Sequence, residues 1–101
     1  MKVKVLSSHL KNQKGEFYIR VNEIRYEYTT IHQVDGNKLV IEGGVGYIHK
    51  CPQLIKYIRN ISQDLEIWLL VDGKYFQVSG VFSDKVNMVE LIADGSAWQI
   101  N

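Results

Sequence analysis

His49-Lys50-Cys51-Pro52 is the sharpest chemical grouping in the chain. Cys51 stands at the expected start of a helix, where the dipole and free N–H groups favour a thiolate. His49, two residues earlier, shares a face with it if the segment is extended, and is placed to act as a base. A Cys51-dependent enzyme would also need an orienting group and an oxyanion site, and the sequence marks neither. A lone cysteine serves more often as a small buried hydrophobe. The chain is therefore expected not to be an enzyme.

The other groupings are weaker. Gly43, Gly44 and Gly46 follow an expected strand and precede an expected helix, but the third glycine of a dinucleotide fingerprint is replaced by His49. No cofactor is expected, and these glycines read as a bend. His9, His32, His49 and Cys51 lack metal-ligand spacing, so no metal is expected. Asp72 and Asp94 sit in turn sequences. Asp64 and Glu66 read as a solvated strand edge, not as an acid–base pair.

Tyrosines interleaved with cations are more informative. Tyr18, Tyr26 and Tyr28 alternate with Arg20 and Arg25, and Lys56 and Arg59 follow on the expected helix. Exposed tyrosines on a sheet rimmed by cations stack single-strand bases, which defines an OB-like nucleic-acid-binding reading. Against it, Tyr26 and Tyr28 share the parity of Ile24 and so point inward if that set forms the core.

Strands must position most of these residues. Lys2 to Val5 alternates charged and apolar residues and is expected to form a half-buried strand with Val3 and Val5 inward. Phe17, Ile19 and Val21 alternate in a second strand. The parity then flips, which calls for a bulge or tight turn near Asn22-Glu23. Asp35-Gly36-Asn37 reads as a turn before the strand Leu39-Val40-Ile41. Pro52 to Ser62 is the single expected helix. Leu54, Ile58, Ile61 and Leu65 lie on one stripe, with Lys56, Arg59 and Gln63 opposite in water. Leu65 to Val71 reads as a strand covered on both faces, and Asp72-Gly73 as a hairpin turn. Tyr75 to Val81 forms the return strand. Ser83-Asp84-Lys85 makes another turn, Val86 to Ala93 a further strand, Asp94-Gly95-Ser96 a turn, and Ala97 to Ile100 a short last strand.

The expected fold is α+β, mainly β: a curled antiparallel sheet or small barrel with one α-helix inserted mid-chain. Its 101 residues form a single domain. A hydrophobic fraction of 46% and a charged fraction of 23% exclude disorder, and one cysteine excludes a disulfide scaffold. The longest apolar run, Ile67 to Val71, is far too short for a membrane span, and the N-terminus lacks a signal-peptide core. A cytoplasmic location is expected.

The net charge of +1 argues against strong nonspecific nucleic-acid binding, but residues 1–63 hold 10 Lys/Arg against 5 Asp/Glu, and residues 64–101 hold 2 against 6. That polarity either survives folding as a dipolar surface or cancels as strands interleave.

The leading expectation is a non-enzymatic protein-interaction module. Trp68, Tyr75 and Trp98 are its anchor candidates, because Trp and Tyr dominate interface hot spots. Its partner is another protein or a second copy in a homodimer. The bias toward Lys, Ile, Asn and Tyr suits an AT-rich genome and an accessory or inhibitor protein of a phage or mobile element.

Overall fold

The computed structural model describes residues 1–34, 36–45, 49–84 and 88–98. Its elements run α1 (Val3–Leu10), β1 (Glu16–Val21), β2 (Ile24–Val34), β3 (Lys38–Gly44), β4 (His49–Lys50), α2 (Cys51–Ile58), β5 (Glu66–Val71), β6 (Lys74–Gln77), β7 (Gly80–Asp84) and β8 (Met88–Ala93). The fold is α+β and mainly β, a curled half-barrel of sheet with helices packed into it. Strands follow the order β6-β5-β3-β2-β1-β8-β7, and β4 pairs with the start of β1 beside this path.

Two pairings are parallel rather than antiparallel. β3 and β5 are parallel neighbours joined through α2, and β1 lies parallel to β8. A parallel pair needs a crossover, which the mid-chain helix supplies for the first of them.

The turns follow backbone chemistry. Asn22 and Glu23 have φ of 47° and 72°, so a tight turn carries the parity flip between β1 and β2. Asp72 and Gly73 have φ of 51° and 73° and close the β5–β6 hairpin as their sequence predicts. Gly36 also has positive φ, while Asp35 of the same turn lies outside the described residues. Gly46, Lys85, Val86 and Ile100, each placed in a turn, bend or strand by sequence, lie outside them too.

Residues 74–84 behave differently from the single return strand expected. β6 pairs with β5 at one end of the sheet, and β7 pairs with β8 at the other. Only Val78 and Ser79 separate them, and the Ser79 N–H donates to the Ile92 carbonyl at 2.8 Å. One bent stretch thus supplies both ends of the sheet path, which is how the sheet curls back on itself.

The N-terminus corrects the sequence reading. Residues 3–10 form α1, not a strand, so the fold has two helices. Val3, Leu6 and Leu10 are buried at helical spacing, while Val5 is 40% exposed. Alternation over Lys2 to Val5 is too short to outweigh that stripe. α1 has no side-chain cap. Its first N–H groups are satisfied from far along the chain instead: Val3 donates to the Leu65 carbonyl at 2.9 Å and Lys4 to the Gln63 carbonyl at 3.0 Å.

α2 begins at Cys51, with Pro52 in its first turn and the Lys50 N–H donating to Gln53 Oε1 at 3.1 Å. Leu54 and Ile58 are buried as the stripe predicts. Gln63 is half-buried instead of solvated. Its Nε2 donates to the Ile58 and Ile61 carbonyls at 3.0 and 3.1 Å, and its Oε1 accepts from Ser7 Oγ at 2.9 Å. Gln63 therefore closes the end of α2 and ties it to α1.

The inner face of the sheet packs on both helices in one core, led by Phe17, Ile19, Leu39, Ile41, Leu69 and Leu91. Gly43 sits tightly in it. A Cβ there would meet Tyr26 Cβ at 3.1 Å and Val71 Cγ2 at 3.2 Å. Among the described residues no helix is long and apolar enough to cross a membrane.

Candidate interaction surfaces

Strand parity decides where the candidate aromatics go. On β1, Phe17, Ile19 and Val21 face the core, so Tyr18 and Arg20 face outward. The register opposes Tyr26 to Ile19 and Arg25 to Arg20. Arg25 therefore joins Tyr18 and Arg20 on the outer face, while Tyr26 packs half-buried against the core. Tyr28 is only 7% exposed and meets Phe17 edge-on at 5.5 Å. Burial, and secondarily Cys51, raise its phenol above the usual value near 10. Tyr28 is a core residue and offers no stacking surface.

The outer-face group is bound up with carboxylates. Glu90 on β8 is 1% exposed and receives two arginines, Arg20 at 3.0 Å and Arg25 Nε at 2.8 Å. Arg25 also lies over the Tyr18 ring at 4.6 Å. The Tyr18 hydroxyl donates to Glu16, and this bond, with burial, holds its phenol above the usual value. A hollow of about 210 Å³ opens beside these groups, rimmed by Phe82, Met88 and Ile92. Both guanidiniums converge on Glu90, so one carboxylate offsets one of the two positive charges and holds both side chains in place.

Cys51 lies in the core at 0% exposure, its thiol 3.5 Å from the Glu16 carbonyl. Burial pushes the thiol up to about 11. The helix start that favours a thiolate is overridden by desolvation. His49 pairs through its backbone with Phe17 in β4, and its side chain lies outside what the structure describes. Among the described residues no group of three His, Cys, Asp or Glu could hold a metal ion.

Trp68, Tyr75 and Trp98 do meet. Trp68 sits on the outer face of β5, 8% exposed, under the Trp98 ring at 6.3 Å in an edge-on contact. The Trp98 N–H donates to the Tyr75 carbonyl at 2.6 Å, so the chain after β8 crosses back to the free edge of β6. Trp98 remains 55% exposed, and Tyr75 is half-buried beside it. Trp68 alone is too deeply covered to make contact, and Trp98 forms the accessible surface of this patch.

The helical layer carries a feature that sequence reasoning passed over. Residues 1–15 and 49–63 hold seven of the twelve Lys/Arg and none of the eleven Asp/Glu. Lys2, Lys4, Lys11, Lys14, Lys50, Lys56 and Arg59 are all exposed. Among the described residues only Lys4 has a carboxylate within ion-pair distance, Asp64 at 3.7 Å. The signal was present as two acid-free stretches 33 residues apart in sequence. It went unread because nothing local says that both segments pack side by side.

The linear charge polarity is thus partly cancelled and partly re-sorted. Arg20, Arg25 and the N-terminal ammonium pair with Glu90 and Glu66 of the acidic second half. What survives is a basic helical layer set against a sheet that holds the carboxylates. No family model matches the chain, and neither the curated proteins nor the solved structures supply a relative, so its surfaces alone carry the functional argument.

Proposed function

We propose that this protein is a non-enzymatic protein-interaction module that grips its partner with the Trp98 patch on the outer sheet face. The carrying observation is that Trp98 folds back onto the β5–β6 hairpin, its ring edge-on to Trp68 and its backbone bonded to Tyr75, and remains more than half exposed. A rigid aromatic resting on a second, buried one loses little freedom on binding, and Trp and Tyr dominate the residues that carry binding energy. Cytoplasmic residence, and a role as an accessory or inhibitory protein of a phage or mobile element, belong to the same proposal and rest on the lone cysteine and the composition.

The test compares wild type with Trp98→Ala, both immobilised and exposed to extract from the native cell. A partner retained by wild type should bind Trp98→Ala about 30-fold or more weakly. Circular dichroism should be unchanged. Sedimentation of both forms identifies a second copy as the partner if the variant alone is monomeric. Identical retention and identical mass for the two forms would sink the reading. The chain's two tryptophans both lie in this patch, so intrinsic fluorescence reports on its occupancy directly.

A further inference from the structure

The basic helical layer is a different face from the Trp98 patch and is not used by the protein-binding reading. Three of its exposed cations, Lys11, Lys56 and Arg59, line a groove. Ile55 on α2 and Arg59, which caps its C-terminal end, line two adjoining hollows. One, of about 350 Å³, reaches α1 through Ser7 and Lys11, with Ile61 on its wall. The other, of about 370 Å³, lies along α2 beside Pro52 and Lys56. The groove therefore combines unpaired positive charge with an apolar floor.

We propose that the helical layer binds single-stranded nucleic acid, with the lysines on the phosphates and the Ile55–Arg59 groove receiving unstacked bases. Three comparisons select this occupant. Lysine is depleted in protein–protein interfaces, whereas nucleic-acid interfaces are strongly cationic. A membrane-surface helix turns its apolar face to the lipid, but α1 and α2 bury theirs: Val3, Leu6, Leu10, Leu54 and Ile58 are at most 1% exposed. A duplex keeps its bases stacked and gives an apolar groove floor nothing to contact, while a single strand presents base faces to Ile55 and the Arg59 guanidinium.

This assignment differs from a sheet-borne site. It keeps Lys56 and Arg59 from the sequence-based set and leaves out Tyr18, whose ring is covered by Arg25, and Arg20 and Arg25, which are both held by Glu90. It also fits a near-neutral chain, because binding depends on the local field of one face rather than on net charge.

The test is fluorescence anisotropy of a labelled 20-nucleotide oligo-dT with the full chain. Contact with about five phosphates predicts roughly 100-fold weaker binding on going from 50 to 200 mM salt. The double variant Lys56→Glu/Arg59→Glu should bind at least ten-fold more weakly at 50 mM salt. Lys11→Glu/Lys14→Glu, on the other side of the layer, should also weaken binding, so one poorly folded variant does not decide the outcome. Trp98→Ala should bind as wild type does.

Absence of binding at 50 mM salt overturns the proposal, as does affinity independent of salt. Equal affinity for a duplex of the same length overturns the single-strand assignment. Preference for poly-glutamate overturns it in favour of an acidic protein, and preference for phosphatidylserine vesicles in favour of a membrane. Loss of binding in Trp98→Ala would move the contact to the sheet and equally overturn it. Loss of the protein partner alone in that variant leaves the nucleic-acid face standing, so the two readings fail separately.

Discussion

Glu90 and Cys51 show how burial reassigns residues that look reactive. Glu90 is a carboxylate at 1% exposure, and only its two arginines make that burial tolerable. It joins β8 to β1 and β2 and acts as a structural clasp. Glu90→Gln should cost about 1–3 kcal/mol, less than for a fully buried pair, because Arg20 and Arg25 are about two-fifths exposed and turn to water. The urea midpoint measures this. Cys51 is expected to resist alkylation at pH 8 in the native state and to react once denatured. Its thiol rises from 9.0 to about 11 on folding, so the unfolded chain loses that proton first. Stability is fully present below pH 9 and falls as pH climbs toward 11, by at most about 1.4 kcal/mol per pH unit from this group. Cys51→Ala should flatten that part of the profile. Tyr28, also raised, continues the decline above pH 10.

At the scale of elements, sheet parity sorts the tyrosines and glycine sets the strand spacing. Tyr18 and Tyr28 sit in similar local sequence, yet one lies outside and one inside, because the Asn22-Glu23 turn sets Tyr26, and with it Tyr28, on the same face as Ile19. Gly43 on β3 was readable as a bend; its role is to leave room for Tyr26 and Val71. Gly43→Ala should therefore destabilise by about 1–3 kcal/mol through overpacking. A thermal melt compared with that of Gly80→Ala checks this, since a Cβ at Gly80 meets nothing within 4 Å. α1 and α2 were unequally legible. α2 announces itself through Pro52 and the Leu54–Ile58 stripe. α1 begins without a side-chain cap, and its first N–H groups depend on the carbonyls of Gln63 and Leu65.

For the whole molecule, the arrangement predicts two faces that act independently. Lys56→Glu/Arg59→Glu should leave retention of a Trp98-dependent partner unchanged, and a combination with Trp98→Ala should show additive losses at the two faces. Pull-down and anisotropy on the same four proteins measure it. Several features were set by local residue chemistry alone. The Asp72-Gly73 hairpin needs positive φ, the start of α2 tolerates proline, and the alternation of Phe17, Ile19 and Val21 assigns one sheet face to the core. Tertiary structure decided which surfaces exist. It buried Tyr28 and Cys51, brought Arg20 and Arg25 together on Glu90, folded Trp98 onto Trp68, and laid two acid-free segments side by side. The ion pairs and the tryptophan contact join residues some 30 to 70 positions apart, and side-chain periodicity reports only which way a residue points within its own element.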